Sequence, residues 1–473
     1  MANITFGNYS PEEEKDTGEI EIRLGVFFDG TLNNERNTYI RLEKEKKKKG
    51  LKYDEKAVKQ DPWGFDKDSY LNDYSNVARM YHFYTSASPI YIEGIGTLNG
   101  DTDTTAGYVT GMGVTGIRAK VRKGCEKVKE KISANTKVNI TLDVFGFSRG
   151  AAAARAFVNE IIKPGYNASS TEYGYVDHDG YSVNSRKLPA RGHLGLLCEQ
   201  NSIIIKSLKI QVVGLYDTVS SYGVNFEDDN TAKMDVADLG LSSISNNSVK
   251  NVIQLAAGHE WRENFNLTSI ETTGNKGLEL TLPGAHADVG GCYENATYEQ
   301  YHSVPVSPAK VINDQNEYNK LANEKRQPLI NQGWYLDKEL TIGAHTNKYV
   351  NHIGLDGKRF IDKRYSYIPL YFMCQLSDEK DAKFNLGGVS QKFLVPEKAG
   401  NGEHILHYVK TKLSSFISAV KSSDPSKRKQ ISYKNYLDFT NEKKLINMYV
   451  HWSATGKTGH SPRSDGKRKI VPG

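Results

Sequence analysis

The sequence predicts an α/β protein built on a mostly parallel central sheet with helices on both faces. Short apolar runs alternate with amphipathic helical patterns, at a spacing typical of strand–helix–strand units. Several apolar runs end abruptly in turn-rich or glycine-rich loops, and the chemically reactive residues are concentrated in those loops. Because open α/β sheets bind ligands at the carboxyl ends of their strands, this pattern predicts a site at one sheet edge.

The first part of the chain contains two predicted strands. Residues 1–19 are polar and acidic and predict a flexible arm, whereas residues 20–28 turn apolar and predict a strand that enters the core. Residues 41–66 are charged and predict an irregular surface insertion. A helix over 69–86 and a short strand over 89–92 are expected to follow.

The next segment has the clearest helix and strand patterns. Residues 114–132 place apolar side chains at spacings of three and four, which predicts an amphipathic helix packed on the sheet. Residues 138–144 alternate as a strand. The alanine-rich run 151–162 predicts a helix that ends at Pro164.

The rest of the chain supplies further strands and two insertions. Strands are predicted over 208–216 and 278–282, and a helix containing His259 over 250–262. The domain prediction is a core over 20–293, interrupted by an insertion at 165–207. Residues 294–473 are expected to form a cap and to complete the fold.

Composition excludes several classes of protein. The 473 residues are 38% hydrophobic, which suits a folded globular chain, and no run approaches the ~20 apolar residues of a membrane span. The net charge is +6, with basic runs at 44–49 and in the tail, at 457–469. Such runs predict solvated loops or, alternatively, contact with anionic lipid. No basic motif interleaved with aromatic residues is present, so nucleic acid is not an expected partner.

Cysteine usage and two short motifs bear on compartment and cofactors. The four cysteines, at positions 125, 198, 292 and 374, form no CxxC pair, which indicates isolated thiols in a reducing compartment. The N-terminus lacks the pattern of a Sec-type signal peptide. Residues 111–116 fit GxGxxG, but no strand precedes them, so a dinucleotide site is rejected. Neither a metal nor a cofactor is expected.

The central motif is GFSRG at residues 146–150, which fits GxSxG. This spacing places a serine on a sharp strand-to-helix turn, with glycines where strand and helix pass too close for side chains. The motif lies between a predicted strand and a predicted helix, which is the context that this turn requires. Ser148 is therefore the candidate nucleophile.

A serine hydroxyl needs a base, and the base needs an acid behind it. Asp217 and His286 each follow a predicted strand, in the order Ser, acid, His that accompanies this motif. They are the candidate acid and base. Asp288 is expected either to orient His286 or to cap the following turn, and His451 is an alternative base.

An oxyanion hole requires backbone N–H donors aimed at the developing charge. Arg149, which follows the serine, is the first candidate donor. Gly30 and Thr31, in the loop after the first strand, are candidates for the second. In the same loop, Asp29 is expected either to support the site or to cap its own turn.

Four motifs together resemble a known family. They are FFDGT at 27–31, GFSRGA at 146–151, YDTV at 216–219 and PGAHADVGG at 283–291. The chain resembles the α/β-hydrolase family that contains the first class of type VI secretion lipase effectors. The resemblance implies an α/β-hydrolase fold and phospholipase A1 or A2 activity on membrane glycerophospholipids.

The resemblance also implies a route and partners. Such an effector is made in the cytoplasm of the producer and injected into the periplasm of a rival bacterium. A secretion spike protein would carry it, and an immunity protein would inhibit it. Two alternatives remain open, an esterase for soluble substrates and a catalytically inactive binding module. A lid over the acyl groove is expected in 165–207 or in 294–350.

Overall fold

The structure is a computed structural model, and it describes residues 19–61, 68–86, 88–221, 236–303, 315–346, 351–400, 402–454, 461–463 and 466–473. The arm predicted for 1–19 lies, except for its last residue, outside the described residues. No helix in the described part of the chain combines the length and the apolar composition that crossing a bilayer requires.

The regular elements alternate along the first 290 residues and become mostly helical afterwards. The strands are β1 (Ile20–Phe28), β2 (Ser88–Ile92), β3 (Lys137–Phe147), β4 (Tyr166–Asn167), β5 (Ser169–Thr171), β6 (Gly174–Val176), β7 (Ser182–Val183), β8 (Lys187–Leu188), β9 (Ile204–Tyr216), β10 (Val249–Ala257), β11 (Leu267–Thr268), β12 (Gly277–Leu282), β13 (Ala296–Ser303), β14 (Leu340–Thr346), β15 (Asn351–Ile361), β16 (Lys398–Ala399), β17 (Gly402–Glu403) and β18 (Ile470–Val471). The α-helices are α1 (Glu35–Lys48), α2 (Glu55–Lys59), α3 (Asn76–Tyr81), α4 (Thr105–Thr110), α5 (Ile117–Ile132), α6 (Arg149–Ile162), α7 (Gly192–Gln200), α8 (His286–Gly290), α9 (Gln315–Asn331), α10 (Tyr367–Asp378), α11 (Leu386–Lys392), α12 (Ile405–Ser422) and α13 (Phe439–Tyr449).

The central sheet is parallel throughout and has the strand order β12-β10-β9-β3-β1-β2. The chain runs outward from β1 to the edge strand β2, and then returns to the other side of β1 and continues outward through β3, β9, β10 and β12. The connections therefore reverse direction between β1 and β3. A crevice opens at such a switch point, outside the carboxyl ends of the strands. The predicted α/β fold class is confirmed.

Both faces of the sheet are buried, which explains the nearly continuous apolar runs in its strands. Helices α5, α6 and α7 cover one face and share a core with Val26 of β1 and Val144 of β3. On the other face, Phe27 stacks on Phe145 at 4.9 Å between ring centroids. That second core continues into the C-terminal half of the chain, through α10, α12 and α13. The helices on both faces hold the carboxyl edge of the sheet in place.

The C-terminal half adds a three-stranded antiparallel sheet, in the order β13-β15-β14. Its Leu355 and the nearby Trp334 belong to the same core cluster as the central strands. At the end of the chain, β18 pairs in parallel with β11, with Ile470 opposite Leu267. The final segment thus returns to the carboxyl edge of the central sheet.

Three predicted elements were wrong in kind or extent. Residues 250–257 of the segment predicted as a helix over 250–262 lie in strand β10. A short run that is apolar on both sides has no periodicity that separates a strand from a helix. Within the charged segment 41–66, α1 and α2 are helical, each with a side-chain N-cap. The helix expected over 69–86 is confined to α3.

The turn between β3 and α6 is closely packed against the loop after β1. A Cβ placed on Gly150 would lie 2.1 Å from the carbonyl oxygen of Asp29, and one on Gly146 would lie 2.5 Å from the carbonyl oxygen of Gly150. These neighbours are backbone atoms, which cannot turn aside as a side chain would. Glycine is therefore required at both positions for strand, turn and helix to fit together.

We expect Gly150→Ala to lower the free energy of unfolding by about 1–3 kcal/mol, because the added methyl group forces backbone atoms apart. Urea denaturation measures the change. Gly387→Ala is the matched control, since Gly387 also lies in a helix but its nearest atom would be 3.7 Å from the new Cβ. Equal stability of the two variants would contradict the packing described here.

Candidate active site

Ser148 lies in a strained backbone conformation at the end of β3. Its φ is 59° and its ψ is −130°, values that a residue with a side chain rarely adopts. Its N–H donates to the carbonyl oxygen of Tyr216 at 3.0 Å, and Val219 N–H donates to its carbonyl oxygen at 3.3 Å. These bonds fix the serine beside the end of β9, and its side chain remains 7% exposed.

Asp217 follows β9 directly and is paired with His286 at the start of α8. The imidazole Nδ1 lies 2.5 Å from Asp217 Oδ2. We assign the proton to Nδ1 because its partner is a carboxylate, which leaves Nε2 as the nitrogen that can accept a proton. Both residues are buried: Asp217 is 0% exposed and His286 is 6% exposed. The structure thus brings the predicted acid and base into contact.

The imidazole of His286 is enclosed by aromatic and charged neighbours. The ring of Phe147, the residue before Ser148, lies 4.7 Å from it, and Phe265 meets it edge-on at 5.1 Å. Its backbone N–H donates to Glu260 at 3.4 Å, and Glu260 is paired with Arg262. Burial lowers the pKa of His286 below its ordinary value, although Asp217 opposes that change. A neutral imidazole is the form that a general base requires.

Arg468, near the end of the chain, makes a two-pronged ion pair with Asp217. Its Nη1 lies 2.6 Å from Oδ1 and its Nη2 lies 3.0 Å from Oδ2. Ala257 N–H also donates to Oδ1, at 2.8 Å. Burial alone would raise the pKa of Asp217, but the charge of Arg468 and the hydrogen bond from His286 outweigh it, and the pKa lies below its ordinary value. Asp217 is therefore held as a carboxylate.

The loop after β1 lies against the serine turn, as predicted, but one of its two candidate donors is engaged. Gly30 N–H donates to Oδ1 of Asp29 at 2.7 Å, so Asp29 caps its own turn. The other carboxylate oxygen of Asp29 accepts the hydroxyl of Tyr91 at 2.5 Å. The Gly30 N–H is therefore engaged, and the N–H of Thr31 remains as the other predicted loop donor.

The side chain of Arg149 connects two loops around Ser148. Its Nε donates to the hydroxyl of Thr31 at 2.8 Å. Its Nη2 and Nη1 donate to the carbonyl oxygens of Tyr108 and Val109. The segment 104–116, whose residues 111–116 match GxGxxG, is thereby fixed beside the serine. The sequence alone predicts a role only for the backbone N–H of Arg149, as a donor of the oxyanion hole.

Asp288 and His451, the predicted supporting residues, form a second pair. His451 Nδ1 lies 2.6 Å from Asp288 Oδ1, and Asp288 Oδ2 accepts Ala285 N–H at 2.9 Å. Asp288 thus caps the first turn of α8, and its second partner is His451 rather than His286. The ring of His451 stacks on Tyr293 at 3.7 Å.

His259 supports the loop that carries His286. Its Nδ1 accepts the N–H of Gly284 at 2.9 Å, which requires the neutral ring. Burial, together with the charge of Lys434, lowers its pKa to about 4. The sequence predicts a helix at His259 with a packed or surface side chain, and nothing in the local pattern indicates this bond.

The other missed residues come from charged segments. The tail run was interpreted as solvated or lipid-facing, yet it contributes Arg468, while Glu260 and Arg262 follow β10, which was mistaken for a helix. An arginine close to an acid in space but distant in sequence leaves no local signal. Within the described ranges, no three His, Cys, Asp or Glu side chains are grouped closely enough to hold a metal ion.

A strained serine lies beside a buried carboxylate–imidazole pair at the carboxyl edge of a parallel sheet. This arrangement is typical of the hydrolase-like α/β class of proteins. Residues 23–308, more than half of the chain, match the family model described as type VI secretion system phospholipase effector Tle1-like, catalytic domain. The chain belongs to this family of Tle1-like phospholipase effectors, which confirms the resemblance seen in the four motifs.

One solved structure supports the fold. The structure of the Tle1 effector bound to the VgrG spike from the type 6 secretion system aligns with 96% of this chain and 94% of that one, with a TM-score of 0.58 and 20% identity. An uncharacterized protein from Pseudomonas aeruginosa aligns with 86% of this chain and 52% of its own, with a TM-score of 0.38 and 17% identity. No curated protein matches the sequence.

We expect stability to decline in acid partly through His259. Because its folded-state pKa lies below the ordinary value of ~6.5, the unfolded chain takes up a proton first, and stability is lost as the pH falls from there toward 4. The loss from this one group is about 1.4 kcal/mol per pH unit. His259→Asn keeps an acceptor near the Nδ1 position but cannot be protonated, so its stability should fall less steeply.

Urea denaturation at several pH values between about 7.5 and 3.5, a range that includes both ~6.5 and 4, measures this slope. His407→Asn is the control, because the side chain of His407 on α12 is 40% exposed and, among the described residues, pairs only with Glu403, a residue of the same exposed region. If His259→Asn and the control have the same slope as the parent protein, the buried neutral imidazole is not the cause.

Proposed function

We propose that the protein is a serine ester hydrolase of the phospholipase A1 or A2 type, which cleaves acyl esters of membrane glycerophospholipids. Ser148 is the nucleophile, His286 the base and Asp217 the acid behind it. The observation that carries this proposal is the buried Asp217–His286 pair, next to a serine in a strained turn. Membership of the phospholipase effector family supports the lipid substrate.

The geometry favours His286 over His451 as the base. The ring of His286 touches Phe147, which directly precedes Ser148. Its acid follows Tyr216, whose carbonyl oxygen accepts the Ser148 N–H. Serine, base and acid are thus connected through adjacent residues. His451 is instead enclosed by Tyr293 and Tyr298, and its Nε2 is buried with no hydrogen-bond partner among the described residues.

The reaction proceeds in two halves. Ser148 Oγ attacks the acyl carbonyl carbon while Nε2 of His286 takes the hydroxyl proton. The tetrahedral intermediate then expels the lysophospholipid alcohol, which receives that proton from His286. In the second half, His286 deprotonates a water that attacks the acyl-enzyme, and the fatty acid leaves as Ser148 regains its proton. Asp217 stabilises the imidazolium in both halves.

Two backbone donors near Ser148 suit the oxyanion of the intermediate. Arg149 N–H lies at the start of α6, where the unpaired N–H groups and the helix dipole favour negative charge. Thr31 N–H is the second candidate, since its loop is tied to Arg149. Gly30 was proposed alongside Thr31, but its N–H is already bonded to Asp29.

The segment beside the serine presents apolar side chains to solvent, as contact with lipid would require. Val114 is 86% exposed, and Val109 and Met112 are each 44% exposed. Arg149 holds this segment against the turn that carries Ser148. A bilayer contacted by these residues would present its acyl esters near the serine.

The route and partners follow from the family. We infer that the protein is made in the producer's cytoplasm and delivered by the type VI secretion system to the periplasm of a target bacterium. A VgrG-type spike is the proposed carrier, because the Tle1 effector was solved bound to such a spike. A cognate immunity protein that blocks the site is the proposed inhibitor.

We expect Ser148→Ala and His286→Asn to lower kcat on phospholipid vesicles by about a millionfold, and Asp217→Asn by about ten-thousandfold. Release of fatty acid and lysophospholipid is measured by mass spectrometry. The acyl position lost distinguishes A1 from A2 activity. Ser422→Ala, an exposed serine on α12, is the control and should retain activity.

Labelling with a fluorophosphonate probe separates the alternatives. Rapid labelling of Ser148 without phospholipid cleavage, but with cleavage of short-chain esters, would identify an esterase for soluble substrates. Absence of labelling would identify an inactive binding module. Retained activity in His286→Asn together with loss in His451→Asn would transfer the role of base to His451.

We expect Val114→Ser combined with Met112→Ser to reduce cleavage of vesicle phospholipid by about 30-fold, because each of the two exposed apolar side chains contributes about 1 kcal/mol when it enters lipid. Cleavage of a soluble short-chain ester should not change. Ile20→Ser is the control, since Ile20 is 47% exposed at the opposite end of β1 from the site. Equal losses on both substrates would contradict a lipid-contacting role.

A further inference from the structure

We propose that Arg468 is a positioning residue of the active site, which orients Asp217 toward His286, and that the C-terminal segment therefore completes the site. This inference rests on the proposed function, because it assigns Arg468 a role in the same reaction. It is carried by the two-pronged pairing of the guanidinium with the carboxylate.

The four hydrogen bonds to Asp217 divide evenly between its oxygens. Oδ1 accepts from Ala257 N–H and from Nη1 of Arg468. Oδ2 accepts from His286 and from Nη2 of Arg468. A planar fork that spans both oxygens fixes the plane of the carboxylate, which a single donor cannot do. That plane determines the direction from which Oδ2 meets the imidazole.

The guanidinium is itself held in place from both sides. Its Nε donates to the carbonyl oxygen of Phe265 at 2.8 Å, and the side chain is only 10% exposed. The backbone that follows Arg468 is anchored as well. Leu267 N–H donates to the carbonyl oxygen of Lys469, and Ser269 N–H donates to that of Val471, each at 2.9 Å.

The segment before Arg468 runs along the same loop. Glu263 N–H donates to the carbonyl oxygen of Ser461 at 3.0 Å, and Arg463 N–H donates to that of Trp261 at 3.0 Å. Val471, beyond Arg468, is 2% exposed and belongs to the core on the α5–α6 face. The segment is thus docked at several points, and Arg468 lies where it passes the site.

The charges around the pair determine what removal of Arg468 should do. Asp217 faces Arg468 and His286, and His286 faces Asp217, Glu260 and Arg262. With Arg468 present, part of the carboxylate's charge is neutralised. Without it, the same carboxylate would stabilise the imidazolium more strongly, and the pKa of His286 would rise.

The test compares Arg468→Gln, Arg468→Lys and the control Lys467→Gln, which removes a positive charge from an exposed neighbour in the same segment. In Arg468→Gln, we expect kcat/KM on phospholipid vesicles to fall about 10- to 100-fold and its acid limb to move to higher pH by about one unit. Arg468→Lys keeps the positive charge but not the two-pronged pairing. We therefore expect the acid limb of its kcat/KM profile to stay near the original pH and its kcat/KM to fall less than in Arg468→Gln. Lys467→Gln should match the parent protein.

The pKa of His286 is also measured directly, by NMR titration of protein labelled in its histidine rings. This readout requires no turnover and no particular substrate. A rise in Arg468→Gln supports the inference. Should Arg468→Gln fail to fold, Arg468→Lys tests the inference instead. A loss of kcat/KM in Arg468→Lys with an unchanged pKa of His286 would still show that activity requires the two-pronged pairing.

Two results would overturn the inference. One is an unchanged pH profile and His286 titration in Arg468→Gln, and the other is full activity in both Arg468 variants. Ser148→Ala separates this failure from failure of the proposed function. If Ser148→Ala is inactive while Arg468→Gln behaves as the parent protein, the serine mechanism stands and only the role of Arg468 is lost. If Ser148→Ala is active, the proposed function itself fails.

Discussion

The structure around the site depends on one electrostatic constraint, the burial of the Asp217 charge. A carboxylate wholly removed from water would take up a proton unless donors and a counter-charge replace the lost hydration. Here a backbone N–H, an imidazole and a guanidinium supply them. Each comes from a different part of the chain, namely the end of β10, the start of α8 and the C-terminal segment. Keeping one carboxylate ionised therefore requires several elements to converge on the end of β9.

A second constraint is steric and acts on the neighbouring turn. Gly150 permits the loop after β1 to lie directly against the serine turn, and Gly146 permits the end of β3 to pass close to the start of α6. The backbone of Ser148 is held at positive φ by that packing and by its bond to Tyr216. The strain is sustained because the sheet and α6 are both deeply buried. The close approach also brings Thr31 within reach of the Arg149 side chain. Packing and charge thus act on adjacent strand ends of the same sheet.

Local patterns predict the central sheet and the residues Asp217 and His286, which lie in contact. They do so because β3, β9 and β12 are each apolar runs followed by a reactive residue. The sequence could not separate β10 from a helix, since Val252 and Leu255 are buried on opposite faces and leave no periodicity. It also could not find Arg468. A positive charge in a basic tail has the same local signature whether it faces solvent or a carboxylate 251 residues away. The pairing of Asp288 with His451 also has no local signal in the sequence, because the two residues are 163 positions apart. Each of them is predicted as a supporting residue, but not as a partner of the other.

The distance along the chain between Asp217 and Arg468 affects when the site can form. During synthesis the strands of the central sheet leave the ribosome long before residue 468, and domains begin to fold as they emerge. The carboxylate of Asp217 therefore lacks its guanidinium partner until residue 468 has been synthesised. An incomplete chain still attached to the ribosome consequently lacks this ion pair, even when its sheet has already assembled. If the protein acts as proposed, its substrate surrounds it in the cell that makes it, and late closure of this contact delays the formation of a fully ordered site.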